Sequence, residues 1–183
     1  MLLEYFAFKK GGTSMPLDEL LLPDISYPEP VVKKPNPMYY GIVSSLYAGE
    51  ISELTSAMQY FYHSVILSES HPEVSAALMA MSDAEKKHLH LLANIIRQLG
   101  GDPKLRAVED NEIIFWNAAM VDYSKTIGKI MVENIYLEKK TIQNYKIAME
   151  CIDDDGINAV FERIMLDEKL HAAVFEKIIN EYK

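Results

Sequence analysis

The sequence predicts an all-α fold: four long helices in a bundle, paired as two hairpins and joined by one long connection. Three observations predict it. Apolar residues recur at spacings of three and four along four separate stretches, the mark of a core-facing helical side. Glycine and proline, eight of each in 183 residues, cluster at a few places and leave those stretches uninterrupted. Short turn signals divide each pair of stretches, whereas residues 102–123 divide the two pairs.

Residues 1–35 read as an irregular N-terminal tail and 36–183 as the bundle. Pro16, Pro23, Pro28, Pro30 and Pro35 forbid a continuous helix in the tail. Its apolar residues, among them Leu20, Leu21, Leu22, Ile25, Val31 and Val32, predict packing on the domain or on a partner subunit. The first helix starts at Asn36-Pro37, a capping residue followed by proline at the first helical position, and is expected to run to Ser68. His71-Pro72 opens the second, which Gly100-Gly101 and Pro103 close near Leu99. The third is expected over 124–152. The turn Asp153-Asp154-Asp155-Gly156 caps the fourth, which runs to Glu181. An ordinary up-down-up-down bundle has only short loops, whereas a single long crossover between two hairpins marks a different wiring of four helices.

Composition narrows the function. Apolar residues make up 49% and charged residues 25%, the balance of a soluble globular protein. A net charge of -9 argues against nucleic acid as a partner and against a polybasic membrane anchor. No apolar run approaches a membrane span, and the N-terminus lacks the features of a signal peptide. The lone Cys151 can form no internal disulfide, which fits a reducing, cytoplasmic setting; near a helix end it reads as a half-buried structural residue.

The chemistry lies in polar residues that interrupt the apolar stripes. On the second helix Glu85 and His88 stand between Leu78-Met81 and Leu92-Ile95. On the fourth, Glu168 and His171 stand between Phe161-Ile164 and Phe175-Ile178. These are the only two E-x-x-H matches in the chain. Glu53 and Glu138 interrupt the stripes of the first and third helices, and each is followed seven residues later by a tyrosine, Tyr60 and Tyr145. Glu53 precedes Glu85 by 32 residues and Glu138 precedes Glu168 by 30, so one hairpin design is used twice.

Four carboxylates among apolar side chains repel one another and lose hydration, at several kcal/mol each. Two divalent cations neutralise four carboxylates, and neutral imidazoles complete the ligand set without adding charge. A Glu and a His three residues apart leave a helix on the same side and reach one ion. Two lone Glu residues and two E-x-x-H pairs are the ligand set of carboxylate-bridged two-metal bundles. The expected ligands are therefore Glu53, Glu85, His88, Glu138, Glu168 and His171, holding two ions of iron or manganese. Tyr60 and Tyr145 are the candidate catalytic side chains, as donors that orient carboxylates, with core packing as the plainer alternative. Asp167 is placed to accept a proton from a ligand His on a facing helix; its counterpart, Ala84, cannot. Glu50 is a rival to Glu53, Glu133 turns to the outer face, and His63, His71 and His90 read as structural or surface residues.

Glu53-Leu-Thr-Ser-Ala-Met-Gln-Tyr60-Phe-Tyr-His63 resembles the first ligand helix of bacterioferritins. The segment Tyr-Ala-Gly-Glu-Ile-Ser-Glu53-Leu is similar to that of manganese catalases, and Asp167-Glu168-Lys-Leu-His171 resembles the closing motif of rubrerythrins and bacterioferritins. Over residues 37–182 the resemblance implies a ferritin-like four-helix bundle, with Glu85 and Glu168 as bridging ligands. It implies an oxidoreductase acting on hydrogen peroxide or oxygen. The chain lacks a cysteine-rich rubredoxin module, and Lys86 stands where haem-binding bacterioferritins carry a Met ligand, which argues against haem. A homodimer or higher homo-oligomer is expected. Two alternatives stay open: iron binding and storage, which needs a hollow shell, and a metal-free helical interaction module, against which all six ligand positions stand intact.

Overall fold

The computed structural model describes residues 25–109 and 112–182. Residues 1–24 of the expected tail lie outside the described residues. Among the described residues there are five α-helices: α1 (Pro37–Ala48), α2 (Glu53–Leu67), α3 (Pro72–Gln98), α4 (Ile127–Cys151) and α5 (Asp155–Glu181). Among the described residues no helix is long and apolar enough to cross a membrane.

The first expected helix is broken in two, a correction to the continuous 36–68 reading. Hydroxyls make the break. Ser52 Oγ and Thr55 Oγ1 both donate to the Gly49 carbonyl, at 2.7 and 3.1 Å. Ser52 Oγ also accepts from the Thr55 amide and caps α2. Side-chain hydroxyls that bond nearby backbone compete with the helical ladder. The result is that Glu53 becomes the first residue of α2.

Two apolar clusters set the helix directions. One joins α1 (Val43, Leu46), the end of α3 (Leu92, Ile95), the end of α4 (Tyr145, Ala148) and the start of α5 (Val160, Phe161). The other joins α2 (Tyr60, Leu67), the start of α3 (Leu78, Met81), the start of α4 (Ile130, Met131) and the end of α5 (Val174, Phe175). Burial of side chains such as Phe161 and Phe175 stabilises the fold by about 1.5–3 kcal/mol each. It follows that α1 and α2 run one way, α3 and α4 both run back, and α5 returns, with α3 packed on α2 and α5 and α4 on α5 and α2. The α3–α4 link must travel the length of the bundle, roughly 35–40 Å for helices of this size. This is the ferritin-like topology.

The long connection carries structure of its own. Strands β1 (Arg106–Glu109) and β2 (Glu112–Phe115) pair antiparallel, Ala107 facing Ile114. The Val108 amide donates to Ser44 Oγ at 3.0 Å, which lays β1 on α1. Further along, Trp116 Nε1 donates to Thr55 Oγ1 and the Asp122 amide to Gln59 Oε1. The crossover is thus fastened along α1 and α2.

Candidate metal centre

The polar side chains converge between the two apolar clusters. Glu53, Glu85, His88, Glu138, Glu168 and His171 are all buried, as are Tyr60 and Tyr145. α3 and α5 each carry a Glu and a His one turn apart; α2 and α4 add one Glu each from the opposite side. The ligand atoms form two groups within each of which they lie within 4.8 Å of one another. One is Glu53, Glu85, His88 and Glu168; the other is Glu85, Glu138, Glu168 and His171. Glu85 and Glu168 belong to both.

Each imidazole aims Nδ1 at three carboxylates. His88 Nδ1 lies 3.1 Å from Glu53, 3.0 Å from Glu85 and 3.1 Å from Glu168. His171 Nδ1 lies 3.0 Å from Glu85 and 3.3 Å from Glu138 and Glu168. The tyrosines cross between halves. Tyr60 on α2 donates to Glu138 on α4 at 2.5 Å, and Tyr145 on α4 donates to Glu53 on α2. The Glu-to-Tyr spacing of seven exists because each tyrosine serves the other half's carboxylate.

Burial is the largest influence on every one of these groups. It pushes Glu53 and Glu138 well up, and Glu168 reinforces both. It pushes Glu85 and Glu168 up as well, but the facing imidazoles outweigh it and hold both below the usual carboxylate range. It opposes charging of His88 and His171, yet the surrounding acids keep both well above an ordinary imidazole. Burial, then the bonded carboxylate, raises Tyr60 and Tyr145, so both stay hydroxyl donors. With protons alone, burial and the neighbouring acids favour the neutral form of Glu53 and Glu138 and the charged form of His88 and His171.

Hydrogen bonds do not complete this arrangement. Glu85 Oε1, Glu138 Oε2, both Glu168 oxygens and both His171 nitrogens are buried without a partner of good geometry. Buried polar atoms are nearly always paired, and a cluster of exceptions calls for an ion or a water. Oxygen and imidazole donors, with a formal charge of four negatives, fit two divalent cations of iron or manganese type.

The structure brings all six expected ligands and both tyrosines together. Asp167 does face a histidine: Oδ2 lies 3.0 Å from His88 Nε2. Glu50 is exposed at the α1–α2 break and belongs to neither ligand group, and Glu133 is exposed. His63 is buried beside Asp122 at 3.3 Å, His71 meets the Tyr182 ring edge to face, and His90 is exposed. Cys151 is exposed, where half-burial was expected. Sequence reasoning missed Tyr27 and Arg163, which meet Asp167 at 2.7 and 2.8 Å. Arg163 stands four residues before Asp167 on one helix face, a spacing that signals a pair; Tyr27 lies in a proline-rich stretch with no period to read.

The sequence profile of the family described as Rubrerythrin matches residues 46–179. No curated protein sequence matches the chain. Among solved structures, a manganese catalase from Anabaena superposes with a TM-score of 0.76 at 18% identity, covering 88% of this chain and 80% of that chain. The Desulfovibrio desulfuricans bacterioferritin gives 0.67 at 20% identity, with 78% of each chain covered. A Mycobacterium tuberculosis bacterioferritin gives 0.64 at 20% identity, with 80% of this chain and 87% of that chain covered. At these identities the likeness is one of fold.

Proposed function

Because the chain belongs to the rubrerythrin family, we propose that it is a two-metal oxidoreductase acting on hydrogen peroxide or oxygen. One observation carries the reading: two four-residue groups, each able to hold a metal ion, share Glu85 and Glu168 in a buried core. Glu53, Glu85, His88 and Glu168 would hold one ion, and Glu85, Glu138, Glu168 and His171 the other. Bound there, an iron or manganese pair supplies a two-electron redox change and positive charge for a small oxidant.

The protein's own part is orientation, exclusion of water and storage of protons. Tyr60 and Tyr145 act through Glu138 and Glu53, which makes them positioning residues. The apolar clusters on either side keep bulk water from the acids. Protons that the cations displace from the imidazoles and from Glu53 and Glu138 must leave with the solvent. Ile113, Ile114 and Phe115 are exposed on β2, an apolar strip that a second copy in a homodimer or larger assembly would cover. The lone thiol suits a cytoplasmic setting.

A peroxide assay on metal-loaded protein tests the reading. Decay without an added electron donor supports catalase-type action, and decay only with a donor supports peroxidase-type action. No turnover of peroxide or oxygen, together with iron-rich particles sedimenting at the mass of a hollow shell, would replace it with storage.

A further inference from the structure

The two halves of the centre are not braced alike, and we propose that the His88 half holds its cation more tightly than the His171 half because a strap from the N-terminal segment completes its support. The inference rests on the two-metal reading above. His88 Nε2 lies 3.0 Å from Asp167 Oδ2. That oxygen also accepts from the Tyr27 hydroxyl at 2.7 Å and meets Arg163 Nη1 at 2.8 Å. The guanidinium carbon of Arg163 lies 4.2 Å from the centre of the Tyr27 ring, and its Nε donates to the Ile25 carbonyl at 2.8 Å. Tyrosine, arginine and aspartate therefore hold one another. With Nε2 held as a donor to Asp167, Nδ1 is the nitrogen left to ligate a cation, beside Glu53, Glu85 and Glu168.

Among the described residues His171 has no such support. Its Nε2 is buried and, among the described residues, without a hydrogen-bond partner. In the repeat, the residue that precedes Glu85 is Ala84, where Asp167 precedes Glu168. Four residues earlier stands Ala80, where the other half has Arg163. Among the described residues no hydrogen bond fixes the tautomer of the His171 ring from behind.

The strap is built in. Gln98 accepts from the Val32 amide and donates to the Pro30 carbonyl, at 3.0 and 2.6 Å. Asp154 accepts from the Lys33 amide at 2.8 Å. A Cβ on Gly156 would lie 2.1 Å from the Val31 carbonyl oxygen, so glycine at this position makes room for the strap. Tyr27 arrives at Asp167 on a segment tied at several points.

Partners behind a ligating imidazole change metal affinity by roughly 10- to 100-fold. Calorimetric titration of metal-free full-length protein with Mn²⁺, without oxygen, tests the proposal. Two binding steps are expected, separated by about tenfold or more. Tyr27→Phe keeps the ring on Arg163 and removes only the hydroxyl; Asp167→Asn removes the charge. Each should weaken the tighter step and leave the weaker step unmoved. His88→Ala should abolish the tighter step, and His171→Ala the weaker one. Indistinguishable steps in the wild type, or a Tyr27→Phe loss shared equally by both, would overturn the proposal. Failure to take up a second ion at all would instead overturn the two-metal reading.

Discussion

The half of the molecule built from α1, α2 and α3 and the half built from α4 and α5 present the same chemistry on different backbones. Each gives a lone Glu, a Tyr seven residues on, and a Glu–His pair. In the second half Glu138 stands midway along an unbroken helix. In the first, Glu53 opens a helix after a break made by Ser52 and Thr55. A carboxylate in the first helical turn meets the positive end of the helix dipole, an advantage of about 0.3–1 kcal/mol that Glu138 lacks. The comparison teaches that the repeat preserves the direction of the carboxylate and not the path of the chain.

The shared acids give the largest test of that comparison. Glu168→Ala removes an oxygen donor from both groups and should cost at least one ion per chain, with the second weakened. Glu53→Ala and Glu138→Ala touch one group each and should leave one ion bound. Elemental analysis of the three variants decides it; equal losses in all three would mean that the halves do not share Glu168.

Protons come next. His88, His171, Glu53 and Glu138 all hold protons above their ordinary range. A cation must displace them, so affinity falls as pH falls through those raised values and grows as pH rises toward them. Protons should leave as the ions enter. Binding heats measured in buffers of different ionisation enthalpy count them, and heats independent of buffer would contradict the charge balance.

Smaller effects probe the crossed tyrosines and the break. Tyr60→Phe and Tyr145→Phe should each weaken binding by about tenfold, and by similar factors, since each serves the other half. Stepwise metal titration shows whether they match. Ser52→Ala should cost about 1 kcal/mol in urea denaturation, through the lost cap of α2. No change would mean that the break is held by Trp116 and Thr55 alone.

Much of this was legible in the sequence because helical periodicity is a strong signal. Glu85, His88, Glu168 and His171 stand out as polar residues on apolar stripes, and the stripes name the face they point to. The repeat then located Glu53 and Glu138. The α1–α2 break was not legible, since Gly49, Ser52 and Thr55 are each tolerated inside a helix and only their joint hydrogen bonding ends one. The hairpin at 106–115 was hidden because its strands are four residues each and β2 is exposed along its length, so no buried alternation marks it. Tyr27 reaches the site through tertiary packing alone, across a separation of 140 residues from Asp167.

The most direct measurement is the metal content of the purified chain after exposure to Mn²⁺ or Fe²⁺ and removal of loose ions. The account predicts two ions per chain, gained together with a rise in melting temperature. Fewer than about one ion per two chains would contradict it, since the six buried ligands would then be held by protons and not by cations.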